Sequence, residues 1–280
     1  MATVIIFWDY DTQWGADRSR TGGGAKNWGY LEFPATDRLL DLHAQYDLPA
    51  CFAVVGAAAL PGEHPYHDPE QIKRIHAAGH EIASHSFQHE WLPALNPAAL
   101  RESLRGSKEA LEQCIGAAVT GFVPPFDMPM DYPAKWAFNL TERREVRQER
   151  TDLPRLCAAL KEVGYQFCRV NYQPFYIRAA EKILQRRILN RVSQPEQIAG
   201  LTCLRTNTPP GFARPTPEIL ERLSEQDGFI VIYGHPHHLT TQKAEGEKYL
   251  VPLLDKINQL RAQGKLKVAL PRNITQNIPS

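Results

Sequence analysis

The chain has 280 residues, 43% of them apolar and 22% charged, and a formal net charge of +1. A chain of that length buries one large α/β core or two small ones, and its near-neutral balance offers no electrostatic footprint for a nucleic-acid partner. No stretch approaches the roughly 20 apolar residues of a membrane helix and no basic-then-apolar leader opens the sequence, which predicts a cytoplasmic protein without an integral membrane segment.

In chain order the patterns alternate. A β-branched and aromatic run, TVIIFW, reads as a buried strand and stops at two acids, Asp9 and Asp11. A long loop carrying Trp14 and Trp28 is predicted next, then the helical pattern ATDRLLDLHAQY, the strand PACFAVVG, the helix DPEQIKRIHAAG, the strand HEIAS and the helix NPAALRESLRGSKEALEQC. The second half continues with AVTGFV, DLPRLCAALKEVG, YQFCRV, EKILQRRIL, GLTCLR, TPEILERLSEQ, GFIVIY, EKYLVPLLDKINQLRAQG and KLKVAL. Gly79, Gly164, Gly228 and Gly264 each close a helical pattern ahead of a strand, the position where a helix stop is expected. The repeated strand–helix order, with no Gly-, Ser- or Pro-rich linker, predicts a single domain over residues 1–280: an α/β fold whose about seven parallel strands curl into a barrel. TERREVRQER at 141–150 mixes both signs and reads as a solvated face. Cys51, Cys114, Cys157, Cys168 and Cys203 are odd in number and widely spaced, which suits buried thiols in a reducing compartment.

In such folds the reactive groups gather at the C-terminal ends of the strands. Asp9 and Asp11 lie at such an end, as do His85 and His89 after HEIAS, VPPFD after AVTGF, and His235 after GFIVIY. His85 and His89 are four residues apart, a spacing that on a helical turn puts both imidazoles on one face. Two imidazoles and one carboxylate with an open position form a catalytic zinc-type ligand set, and Asp11 is the candidate carboxylate. Zinc or cobalt suits that set better than magnesium, which prefers oxygen. Asp9 is then available as general base toward a water whose pKa the ion lowers.

Asp9 and Asp11 after the first strand, GHEIASHSFQH, the strand followed by VPPF, the late strand ending in His235, and FPATDRLLDLHAQYDLPACFAVVG between the first two motifs together resemble the polysaccharide deacetylase (NodB-homology) family. The resemblance implies a distorted (β/α) barrel with one divalent metal that hydrolyses the N-acyl group, most simply acetyl, of an amino sugar. By position it implies Asp11, His85 and His89 as metal ligands, Asp9 as base, His235 as the acid that protonates the leaving amine, and the backbone N–H of Phe126 as an oxyanion donor, a group such a reaction needs.

Two departures stand out. The third motif reads Val123-Pro124-Pro125-Phe126, without the arginine the family commonly places there beside the base; Arg169 in YQFCRV and Arg205 in GLTCLR are the candidates to replace it, Arg169 being favoured. Tyr10 separates the two acids, a D-x-D form that resembles intracellular branches acting on carrier-linked sugars or small amides. The alternatives are therefore a deformylase or amidase on a small non-sugar amide, and a non-catalytic carbohydrate-binding relative. Among the other histidines, His80 reads as structural and His64 and His67 as loop residues. HPHHL at 235–239 offers donors for a second metal site, but three histidines around a proline do not easily face one point, so a role falls on His235 alone. TGGGAKNWG lacks the ending of a phosphate loop. Trp14 or Trp28 could stack on a sugar ring or simply pack the loop.

Overall fold

A computed structural model describes residues 1–19, 28–127, 153–170, 192–209 and 211–275. EKILQRRIL, TERREVRQER and most of TGGGAKNWG lie outside them.

The first strand, β1 (Ala2–Tyr10), is buried along almost its whole length because it is paired on both sides. It runs parallel to β2 (Cys51–Val54) and to β8 (Gly228–Gly234), and its first residues also pair with β9 (Leu266–Val268). From β2 the sheet continues through β3 (Glu81–Ser84), β4 (Gly121–Phe122), β5 (Phe167–Val170) and β7 (Leu201–Arg205), all parallel, and ends at β6 (Glu196–Ile198), which is antiparallel to β7. The described residues thus form a nine-stranded sheet, β6-β7-β5-β4-β3-β2-β1-β8 with β9 beside β1, where the sequence pattern predicts about seven strands, all parallel. β9 falls within KLKVAL, whereas β6, three residues long and antiparallel, is too short for an alternation to show. The sheet curls into a half-barrel. Its two ends are tied by side chains, since the Asn207 amide donates to Phe229 O at 2.8 Å and accepts from Val231 N at 2.9 Å.

Strand alternation divides the core. Val4, Ile6, Trp8 and Tyr10 face the surrounding helices, while Ile5 and Phe7 point inward with Cys51, Ala53, Ala83, Val123, Phe167 and Tyr233. Two residues on from Phe7, Asp9 inherits the inward face, and two residues on from Phe167 so does Arg169.

The helices are α1 (Thr12–Arg18), α2 (Trp28–Tyr46), α3 (Pro69–Ala77), α4 (Pro97–Ile115), α5 (Leu153–Val163), α6 (Thr216–Leu223), α7 (Glu247–Ala262) and α8 (Pro271–Thr275). Their starts follow capping chemistry. The Asp68 side chain accepts from Gln71 N, and the Asn96 side chain accepts from Ala98 N and Ala99 N ahead of Pro97. Two expectations are corrected here. Helix α2 begins at Trp28 rather than at Ala35 and runs through Pro34, its seventh residue, inside the helix. Trp14 likewise sits on α1 rather than in a loop. Helix α2 buries Gly29, Glu32, Phe33, Ala35, Thr36, Leu39, Leu42 and His43, a stripe at helical spacing. His43 locks it to the sheet: Nδ1 donates to Leu48 O at 2.7 Å and Nε2 accepts from the Trp8 indole at 2.8 Å. Burial, with His80 nearby, brings the His43 pKa down to about 3, so the ring is neutral. His80 is structural too, its Nδ1 accepting from Ala50 N at 3.1 Å.

Candidate metal and catalytic centre

Asp11 is the residue at which β1 gives way to α1. The next residue, Thr12, has a positive φ of 54°, uncommon for a β-branched residue, and Glu32 on α2 holds the turn in place. One Glu32 carboxylate oxygen accepts from Asp11 N at 3.1 Å and the other from Thr12 N. Both carboxylates are almost completely buried. Gly15 leaves room for the result: a Cβ added there would stand 2.5 Å from the Cβ of Asp11.

His85 extends the line of β3, its N–H donating to Val54 O at 2.8 Å. Its Nδ1 donates to Val123 O at 2.8 Å, which fixes the tautomer with a bare Nε2 lone pair, the arrangement that orients a metal-binding histidine. That Nε2 is 3.3 Å from Asp11 Oδ1, and His89 Nε2 is 3.5 Å from the same oxygen. The two imidazoles meet through a tight loop rather than the helical turn expected from their spacing, Ser86 (φ 64°) and His89 (φ 57°) both taking left-handed backbone. Such conformations are costly and persist where the surroundings impose them. Asp11 Oδ1 is buried and has no hydrogen-bond partner. Burial opposes the charge on Asp11, yet His89 and His85 hold its carboxyl well below the usual range. The donor atoms of Asp11, His85 and His89 all lie within 4.8 Å of one another. A buried orphan carboxylate oxygen faced by two imidazole nitrogens fits a divalent cation of the zinc type.

Asp9, 2% exposed, lies on the inward face beside this cluster. Arg169 reaches it from β5, Nη1 donating to Oδ1 at 2.7 Å and Nη2 to Oδ2 at 2.6 Å. The guanidinium also lies over Tyr233, 4.6 Å from the ring centroid, and 5.3 Å from that of Phe7. Arg205 pairs with Glu196 at 2.7 Å. Val123, which stands where the third-motif arginine was expected, is fully buried in the barrel interior and contributes its carbonyl to His85. Phe126 has φ 71° and sets its ring edge-on to His89, centroids 4.2 Å apart, so the third-motif turn abuts the Asp11–His85–His89 cluster.

His235 follows β8. Its backbone N–H and Nδ1 both donate to Glu245 Oε2, at 2.7 and 2.8 Å, and its Nε2 is turned toward Asp9 Oδ2 at 4.0 Å. Burial works against its charge, but Glu245, with Asp11 and Asp9 behind it, carries its pKa up to about 10. His238 faces the other Glu245 oxygen, Nδ1 to Oε1 at 3.3 Å, so two of the three histidines in HPHH meet one carboxylate. His237 is buried and stacked on Trp28, centroids 4.4 Å apart, with Nδ1 3.7 Å from Glu32 Oε1.

The structure therefore brings Asp9, Asp11, His85, His89, Phe126 and His235 together at one end of the barrel. Glu32 and Glu245 went unread. Glu32 carried a signal, an acid at i−4 and i−7 to the buried Thr36 and Leu39 of an apolar stripe; Glu245 lies ten residues beyond His235 in a polar loop and carried none.

Residues 29–134 match the family model described as polysaccharide deacetylase, a span that holds His85, His89 and Phe126 but not Asp9, Asp11 or His235. A peptidoglycan-N-acetylglucosamine deacetylase of Bacillus cereus is 30% identical over 107 residues, 38% of this chain and 36% of that one. A peptidoglycan deacetylase of Helicobacter pylori is 35% identical over 89 residues, 32% and 28% of the two chains. A chitooligosaccharide deacetylase of Sinorhizobium fredii is 31% identical over 119 residues, 40% and 52%. The chain thus spans about half or less of the length of these relatives. Among solved structures, a candidate polysaccharide deacetylase from Mycobacterium smegmatis superposes with TM-score 0.65 at 20% identity, over 99% of this chain and 90% of that one. A family 4 acetyl xylan esterase from Clostridium thermocellum, in complex with cobalt, has TM-score 0.51 at 16% identity, over 99% and 93%. These two share the fold.

Proposed function

With residues 29–134 matched to the polysaccharide deacetylase family, we propose that the chain is a single catalytic unit, residues 1–280, that removes an N-acyl group, most simply acetyl, from an amino sugar or its conjugate in a metal-dependent hydrolysis. The observation that carries this reading is the buried cluster of Asp11, His85 and His89 beside an Arg169-paired Asp9 and a Glu245-paired His235. Asp11, His85 and His89 would hold the ion, zinc or cobalt by their donor chemistry. When bound, such an ion polarises an acyl oxygen and makes water more acidic. Asp9 accepts a proton from the attacking water, a task that requires it ionised, and the bidentate guanidinium supplies the counter-charge. His235 holds a proton on Nε2, the nitrogen that faces the site, and delivers it to the leaving amine. The N–H of Phe126 donates to the developing oxyanion.

The non-catalytic reading rested on the missing third-motif arginine, and the Arg169–Asp9 pair removes its main support. Among the described residues no helix is long and apolar enough to cross a membrane. All five cysteines are free thiols, and on that ground we assign the protein to the reducing cytoplasm. The test is acid release from a panel of N-acetyl and N-formyl amino sugars, their oligomers, and small cyclic amides, incubated with zinc-loaded protein. Acetate from the acetylated sugars is expected; formate or ring-opened amide instead would establish the deformylase or amidase alternative.

A further inference from the structure

The turn that follows β8 holds more donors than the proposed reaction uses. As general acid, His235 needs one carboxylate to orient it, and Glu245 Oε2 does that at 2.8 Å. The second oxygen, Oε1, is faced at 3.3 Å by Nδ1 of His238, a buried atom with no hydrogen-bond partner. One donor atom each from His235, His238 and Glu245 lie within 4.8 Å of one another. Two imidazoles and a carboxylate repeat the donor set of the first cluster, with one difference. The His235 and His238 side chains are 25% and 24% exposed, whereas Asp11, His85 and His89 are almost wholly buried, so the outer rings lie nearer to solvent than the inner cluster.

We propose that His235, His238 and Glu245 form a second, exchangeable divalent-cation site whose occupation switches the enzyme off. A tetrahedral ion with bonds of about 2.0–2.2 Å holds its ligands a little over 3 Å apart, so the existing separations of 2.8 and 3.3 Å need only small adjustments. Binding takes the lone pair on Nδ1 of each ring. The proton that His235 Nδ1 shares with Glu245, and any proton on His238 Nδ1, leaves to solvent. With the ion on Nδ1, His235 could give up its Nε2 proton only by becoming an imidazolate, so it no longer serves as the acid. Because the ion must displace that proton, its affinity is lower than that of the inner site, and the inner site fills first. The inhibitory consequence rests on the proposed role of His235; the site itself does not.

Equilibrium dialysis of the full chain against graded zinc, read by elemental analysis, separates the two. One zinc per chain is expected at limiting zinc and two at excess. His238→Ala and the bulkier His238→Gln should weaken the second ion by at least roughly 10- to 100-fold while keeping the first. The His85→Ala, His89→Ala double variant should lose the first and keep the second. Excess zinc should inhibit the wild type but not His238→Ala, each compared with its own rate at limiting zinc. One zinc per chain at every concentration, or a second ion indifferent to both His238 variants, would overturn the site. Two zinc ions that His238 governs, with no zinc inhibition, would retain the site and contradict the assignment of His235 as acid.

Discussion

The Arg169 guanidinium grips both oxygens of the Asp9 carboxylate, at 2.7 and 2.6 Å, across the interior of the half-barrel. Each group is about 98% or more removed from solvent, so neither tolerates losing the other. Breaking a buried pair from one side costs about 3–5 kcal/mol, because a charge is left uncompensated. Arg169→Met should therefore destabilise the fold by that amount in denaturant titration. It should cost much less in an Asp9→Asn background, and Arg169→Lys should rescue poorly, having no fork to match the carboxylate. An Arg169→Met protein within about 1 kcal/mol of wild type would show that the pair is not a buried ionic contact.

Much of this was legible in the chain. TVIIFW followed by two acids gave a strand end, and period-two alternation then put Asp9 on the same inward face as Phe7, just as Arg169 follows Phe167. The missing third-motif arginine sent attention to Arg169 because its strand follows that motif. Other features had no local signal. The approach of His85 to His89 depends on left-handed backbone at Ser86 and His89, which a four-residue spacing does not reveal. The convergence of His235 and His238 depends on Glu245, brought from outside the motif by tertiary folding. Helix α2 starts earlier than its pattern because it runs through Pro34, an interior position where proline is ordinarily unfavourable, so no local signal shows the added turns.

Glu32 accepts the N–H groups of Asp11 and Thr12, and in the proposed centre it would hold Asp11 in place without touching the ion. Gln at this position keeps one acceptor and replaces the other with a donor, which cannot take the second N–H. Glu32→Gln should weaken zinc binding by roughly 10- to 100-fold, the usual cost of losing an outer partner of a ligand, measured by competition with a chelator. Unchanged zinc affinity would mean that the turn at Thr12 holds itself.

Glu81, at the start of β3, offers a stability test away from the site. Burial raises its pKa from 4.5 to about 7, against the smaller opposing effect of the Arg272 N–H that it accepts. The folded protein thus holds this proton more tightly than the unfolded chain, so its contribution is full below about pH 4.5 and is lost as the pH rises through about 7. The difference corresponds to roughly 3 kcal/mol. Stability measured from pH 4.5 to 8 should fall more steeply in wild type than in Glu81→Gln by about that amount; parallel curves would place the titration elsewhere.

Asp11, His85 and His89 are proposed to hold the ion while Asp9 moves the proton. Measuring zinc content and acetate release together, at limiting zinc, in wild type, Asp9→Asn and the His85→Ala, His89→Ala double variant separates the two roles. Wild type should hold about one ion and turn over. Asp9→Asn should keep the ion and lose about 10²–10⁴-fold in rate, the usual worth of a general base, and the double variant should lose both. Acetate release at the wild-type rate from the metal-free double variant, or from Asp9→Asn, would contradict the account.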